Sequence, residues 1–144
     1  MQSKGQLNSK VYQVKTGLLR SYAISEKGKE HIYMFAPEGW IIADNVPPDE
    51  PCELYIDALE DSEILVMEKN DEDRHDELKL MKRIKVLQKR VIMLMCATAI
   101  ERYEHFLHTY PDIVQRVPQK MIASYLGITP EALSTVKRAR IRES

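Results

Sequence analysis

The spacing of apolar positions changes period along the chain. From residue 10 to 68 it is two, the period of strands. Tyr12 and Val14 alternate with polar neighbours before the turn Lys15-Thr16-Gly17. Leu18, Arg20, Tyr22 and Ile24 then share one face, with Leu19, Ser21 and Ala23 on the other. Ser25-Glu26-Lys27-Gly28-Lys29 is a polar hairpin loop with the glycine such loops need. His31, Tyr33 and Phe35 alternate with Ile32, Met34 and Ala36 until Pro37-Glu38-Gly39 ends the strand. Trp40-Ile41-Ile42-Ala43 is a short apolar run, and residues 46–51, with three prolines, form a loop. Leu54-Tyr55-Ile56 and Ile64-Leu65-Val66-Met67 read as a hairpin around Glu60-Asp61-Ser62. Residues 1–70 are thus expected to form an antiparallel barrel or roll.

The period then lengthens. Leu80, Ile84, Leu87, Val91, Leu94 and Thr98 are spaced alternately four and three apart, the a/d seam of a coiled coil. Met81, Ile92, Met95 and Ala99 widen the stripe. This predicts a long helix from Asp73 through Ala99. A shorter one runs from Ile100 to His108 and ends before Tyr110-Pro111. A stripe packed on the β segment of its own chain would look similar. A sustained seam nevertheless suits a partner helix, and an identical chain is the simplest partner. Residues 71–108 are read as a dimerisation helix and connector.

Residues 109–144 carry two short helices around a tight turn. Pro118 suits a first helical position, and Gly127 the left-handed residue that stops a helix. Thr129 offers a capping hydroxyl, and Pro130 starts the second helix. Ile122, Leu126, Ile128, Leu133 and Val136 are spaced to meet between the helices, with Ala123 small at their approach. That is the pattern of a DNA-binding helix-turn-helix. The second helix turns Thr129, Glu131, Ala132, Ser134, Thr135 and Arg138 outward. Of these, Glu131, Ser134, Thr135 and Arg138 are the candidates to read bases, and Gln119, Lys120, Lys137, Arg140 and Arg142 to hold phosphates.

Charge sharpens this division. The formal net charge is only −1, but it is segregated. Residues 44–77 hold 14 Asp/Glu against Lys69 and Arg74, whereas residues 117–144 hold five Lys/Arg against two Glu. An acidic middle and a basic end suit a protein that touches a polyanion with one region. No apolar run approaches the roughly 20 residues of a membrane span, and no secretory signal opens the chain. Cys52 and Cys96 are too few and too far apart for a disulfide framework or an iron–sulfur cluster, so a cytoplasmic setting is expected. His31, His75, His105 and His108 do not converge in sequence. His105 and His108 share a helix face but read as a surface pair, so no metal or other cofactor is expected. No nucleophile–base pair or phosphate loop emerges, and an enzyme is the weakest reading.

The order of elements, and the residues themselves, resemble the Crp/Fnr family of bacterial transcription regulators over most of the chain. Val11-Tyr12-Gln13-Val14-Lys15-Thr16-Gly17-Leu18-Leu19-Arg20 is similar to the family's strand–Gly–strand signature. Gly28-Lys29-Glu30 with Phe35-Ala36-Pro37-Glu38-Gly39-Trp40, and Ala58-Leu59-Glu60-Asp61-Ser62-Glu63-Ile64, resemble its next hairpins. Glu101-Arg102-Tyr103, Tyr110-Pro111 and Arg116-Val117-Pro118-Gln119 to Thr135 resemble a branch whose helix-turn-helix nearly ends the chain. The resemblance implies an α+β fold: a cyclic-nucleotide-binding-like β-roll, a long dimerisation helix and a C-terminal helix-turn-helix.

Three departures bear on function. Where the family's phosphate-binding cassette has Gly-Glu and later Arg-Ser, this chain has Ile41-Ile42 and Cys52-Glu53. An acid in place of the arginine fork repels an anion, so no cyclic-nucleotide response is expected. The family's first strands are missing, so either the roll is truncated with an edge needing cover, or the chain begins inside a longer protein. Thr135 stands where an arginine is common, and no β-wing follows Arg142.

The leading expectation is a homodimeric regulator bound to double-stranded DNA, with an uncharged small-molecule effector or none. The alternative is a small-molecule sensor or interaction module with a vestigial DNA-binding part.

Overall fold

The computed structural model describes residues 1–70 and 76–143. The chain divides into two compact units, residues 1–73 and residues 74–144. The first unit holds β1 (Val11–Thr16), β2 (Leu19–Ile24), β3 (Glu30–Ala36), β4 (Ile41–Ala43), β5 (Tyr55–Ala58) and β6 (Glu63–Met67). They form two antiparallel three-stranded sheets, ordered β4-β1-β6 and β3-β2-β5. Tyr12, Val14, Leu19, Ala36, Ile42 and Ile56 make a buried cluster, with Met34, Trp40 and Ile64 packed against it.

The expected hairpin between Leu54–Ile56 and Ile64–Met67 does not form, because β5 and β6 belong to different sheets. β5 pairs with β2 (Leu19 opposite Ala58), and β6 with β1 (Val11 opposite Met67). The chain turns a corner between β5 and β6 beside the corner it turns at Gly17, between β1 and β2. The two strand pairs therefore bend together from one sheet into the other. Leu18 donates its N–H to the Ser62 hydroxyl at 3.1 Å, and Leu59 donates to the Leu18 carbonyl at 2.9 Å. Gly17 has φ +99, and a Cβ on it would overlap the Ser62 side chain. A third corner meets the same place: the Glu38 carboxylate accepts the Gly17 N–H at 3.1 Å.

β3 also departs from simple alternation. Ser21 faces Met34 but Tyr22 faces Ile32, so Tyr33 is an extra residue in the ladder. Ile32 and Phe35, three apart, are both buried as a result, and His31 is exposed. The outer edge of β5 is covered from the start of the chain. Gln2 and Ile56 exchange N–H···O bonds of 3.0 Å, Gly5 donates to Cys52, and Asn8 donates to Pro48.

The second unit holds α1 (Glu77–Cys96), α2 (Ala99–Thr109), a 3-10 turn (Ile113–Gln115), α3 (Gln119–Leu126) and α4 (Pro130–Glu143). No helix among the described residues is long and apolar enough to cross a membrane. α1 is capped by Asp76, whose side chain accepts the Lys79 N–H; the expected start at Asp73 lies outside the described residues. α1 also ends earlier than its seam suggests. Ala97 (ψ 143) and Thr98 (ψ 166) are extended, and Thr98 caps α2 instead of extending the seam. The reason is a capping box: Glu101 donates its N–H to the Thr98 hydroxyl at 3.3 Å, and its carboxylate accepts the Thr98 N–H at 2.7 Å. Phe106, Tyr110 and Tyr125 pack ring against ring, with centroids 5.5–5.7 Å apart, joining α2 to α3.

Candidate nucleic-acid interface

The turn between α3 and α4 follows from its residues. Gly127 adopts φ 67, ψ 32, and its N–H reaches back to Ala123 and Ser124 while Ile128 N–H donates to Ala123 at 3.0 Å. Thr129 then accepts the Ala132 N–H at 3.1 Å on its hydroxyl, the expected cap, and Pro130 opens α4. At the other end the structure moves Pro118 one place. With ψ 146 it is the N-cap of α3, and its carbonyl accepts the Met121 N–H. Ile122, Ala123, Leu126, Leu133 and Val136 are buried, while Ile128 is half-buried.

That packing leaves one face of α4 open. Glu131, Ser134, Thr135 and Arg138 are all exposed on it. The Ser134 hydroxyl donates to the Pro130 carbonyl and the Thr135 hydroxyl to the Glu131 carbonyl, each at 3.1 Å. With the hydrogens so used, each oxygen presents its lone pairs outward as an acceptor. Of the residues expected to hold phosphates, Gln119 and Lys120 are exposed at the start of α3, and Arg142 at the end of α4. Lys137 donates to the Gln119 side chain at 3.0 Å, tying α4 to the start of α3. Arg140 meets Glu104 of α2 at 2.6 Å, and that bond raises the Arg140 pKa. Its guanidinium therefore holds α4 on α2.

The seam of α1 is open too. Leu80, Ile84, Leu87, Val91 and Leu94 are 37–61% exposed, and Met93 is the helix's buried residue. His105 and His108 both lie exposed on α2; partial desolvation first, and then the neighbouring charges of His108, Arg90 and Lys89, lower the His105 pKa. Among the described residues no group of three or more His, Cys, Asp or Glu could hold a metal. His75 lies outside the described residues.

Three comparisons bear on this architecture. No family profile matches the chain. The regulatory protein HlyX of Actinobacillus pleuropneumoniae is 28% identical over 158 aligned positions, which cover 92% of this chain and 64% of HlyX. A transcriptional regulator of the CRP/FNR family from Thermus thermophilus superposes with a TM-score of 0.78, at 16% identity, over 100% of this chain and 82% of that one. FixK2 from Bradyrhizobium japonicum superposes with a TM-score of 0.75, at 19% identity, over 98% of this chain and 79% of its own.

The chain has the Crp/Fnr fold.

Within the β-roll, the stretch expected to correspond to the Crp/Fnr phosphate cassette contains a carboxylate that was not singled out as a functional residue. Asp44 is buried, and its Oδ2 accepts two consecutive backbone N–H groups, from Glu53 and Leu54, at 2.8 Å each. The Gln2 amide approaches the same oxygen at 3.4 Å and donates to the Leu54 carbonyl at 2.9 Å. Lys69 donates to the backbone carbonyls of Asp44, at 2.6 Å, and of Val46 and to the Ser9 hydroxyl. These two amides are thus occupied by the chain's own anion. Cys52, beside them, is buried, and burial together with the Asp44 charge raises its thiol pKa. Nothing local in the sequence marks Asp44, because its partners lie nine and ten residues away.

Proposed function

We propose that the chain is a DNA-binding transcription regulator that acts as a homodimer and responds to no anionic nucleotide. The observation that carries the reading is the α3–α4 pair. A buried apolar contact fixes the two helices, and Glu131, Ser134, Thr135 and Arg138 form an open polar face beside basic residues. Inserted in a major groove, Glu131 accepts from a cytosine amino group, Arg138 reaches a guanine edge, and the two hydroxyl oxygens accept from base amino groups. Gln119, Lys120, Lys137 and Arg142 flank that face to contact phosphates, and Arg140 joins them by exchanging Glu104 for a phosphate oxygen. The likeness to HlyX and to the Thermus regulator supports the same reading.

The open seam of α1 supports the dimer. Apolar side chains at Leu80, Ile84, Leu87, Val91 and Leu94 are more favourably buried against the same row of a second copy than left in water. Two recognition helices would then enter successive major grooves, ~34 Å apart, on an inverted repeat. The Asp44 carboxylate supports independence from anionic effectors, because a phosphate would have to displace it.

Selection of random duplexes on the purified chain, with stoichiometry read at two salt concentrations, tests the proposal. An enriched inverted repeat bound by two chains upholds it. Binding without enrichment that vanishes as salt rises would favour a sensor with a vestigial DNA-binding part.

A further inference from the structure

α1 ends without a cation of its own. Its last turn contains no basic residue, although the exposed carbonyls of a helix C-terminus concentrate negative potential. Arg102, in the first turn of α2, supplies the charge. Its Nη2 donates to the Leu94 carbonyl at 2.7 Å and its Nε to the Ala97 carbonyl at 3.1 Å. The same guanidinium reaches the turn of the helix-turn-helix, where Nη1 donates to the carbonyls of Leu126 at 3.0 Å and Gly127 at 3.4 Å. All four acceptors are main-chain carbonyls at the C-terminal ends of two helices. Gly127 is hemmed in by this contact: a Cβ there would lie 3.3 Å from Leu94 Cδ2 and 3.4 Å from Arg102 Nη1. Arg90 makes a second link, lying 4.1 Å over the Tyr125 ring and donating to the Tyr125 carbonyl at 3.3 Å.

We infer that Arg102 is a positioning residue that sets the orientation of the helix-turn-helix on α1. The two extended residues Ala97 and Thr98 would otherwise make the junction a hinge, since helical hydrogen bonds stop there. The capping box places Arg102 at the start of α2, and its planar fork spans the carbonyl pairs at two helix ends, which a lysine, a single point charge, cannot span. The consequence for DNA rests on the reading proposed above: in a dimer, the angle at this junction sets the separation of the recognition helices.

The test uses the full chain with Cys96 replaced by serine and spin labels at Lys85→Cys on α1 and Arg142→Cys on α4. Dilution with unlabelled chain isolates the distance within one copy, whether or not the chain dimerises. The parent should give a narrow distribution, and Arg102→Lys and Arg102→Gln broad ones, with helical circular dichroism retained. An unchanged distribution, or a lysine variant that no longer folds, overturns the inference, because Arg102 would then be unnecessary to the angle or needed for the fold itself. A second arm compares duplexes on unlabelled chains that keep Arg142. The variants should lose roughly tenfold or more on an inverted repeat and little on a single half-site, since only simultaneous engagement depends on the angle. If the parent prefers no repeat, the DNA-binding reading fails while the distance measurement still decides the role of Arg102.

Discussion

Gly17 and Ser62 touch across two corners of the β-roll so closely that neither tolerates enlargement. The glycine lies at φ +99, and a Cβ on it would sit 2.7 Å from the Asp61 carbonyl as well as overlapping Ser62. Gly17→Ala combines a strained backbone with a steric overlap and should cost ~2–4 kcal/mol in urea denaturation. Ser62→Ala should cost about 1 kcal/mol by removing the acceptor of the Leu18 N–H. Gly28, at φ +79 with nothing within 4 Å of an added Cβ, provides the control; Gly28→Ala should cost less than Gly17→Ala.

The dimer seam gives a second prediction. Ile84 is 61% exposed, so Ile84→Glu leaves the fold of the isolated chain intact. A carboxylate facing its symmetry mate in an apolar seam opposes association. Sedimentation should show the parent as a dimer and the variant as a monomer, with unchanged circular dichroism. A parent that sediments as a monomer at micromolar concentration would sink the seam.

Asp44 gives a third. Asp44→Ala leaves the amides of Glu53 and Leu54 without their acceptor, so the variant should melt lower than the parent and recover as sulfate or phosphate is added. Sulfate strengthens most folds slightly, so the diagnostic is a saturating rise in the variant beyond the shallow one in the parent. Equal responses would show that these amides do not form an anion site.

Arg138 and Lys120 separate reading from holding. Arg138→Ala should cost roughly 1–3 kcal/mol on the selected site and relax preference at one base pair. Lys120→Ala should weaken all sequences alike and lower the salt slope by about one. A uniform loss in Arg138→Ala would reassign it to a phosphate.

The cap of α2 carries a pH dependence. Hydrogen bonds from Thr98, its backbone N–H first and then its hydroxyl, hold the exposed Glu101 carboxyl below its ordinary value of 4.5. Because the folded pKa is the lower one, this stabilisation is complete above the ordinary value and is lost as pH falls through the folded value. Glu101→Gln keeps a capping side chain but cannot titrate. Melting from about pH 6 to about pH 3 should therefore fall less steeply in the variant than in the parent. Parallel curves would remove Glu101 from the acid sensitivity.

Much of this was legible in the linear order of residues, wherever the cause is local. Gly28 and Gly127 mark turns because few other residues take a positive φ, and Thr129-Pro130 starts a helix because a hydroxyl and a fixed φ suit its first turn. The exposed row on α4 follows from helical periodicity once Leu133 and Val136 are known to face inward. The T-x-x-E box at Thr98–Glu101 was equally local, but the regularity of the seam masked it; two signals competed at Thr98, and the cap prevailed.

Tertiary structure alone decided the rest, through groups far apart in the chain. The partners of β5 and β6 depend on strands more than 30 residues away, so two strands adjacent in sequence separate into different sheets. The extra residue at Tyr33 exists only in relation to β2. Asp44 is satisfied by amides on a facing segment, Arg140 by a glutamate 36 residues earlier, and Arg102 by carbonyls 24 and 25 residues later. Periodicity predicts which face an element buries; which distant hydrogen-bonding groups meet there is decided only when the elements pack.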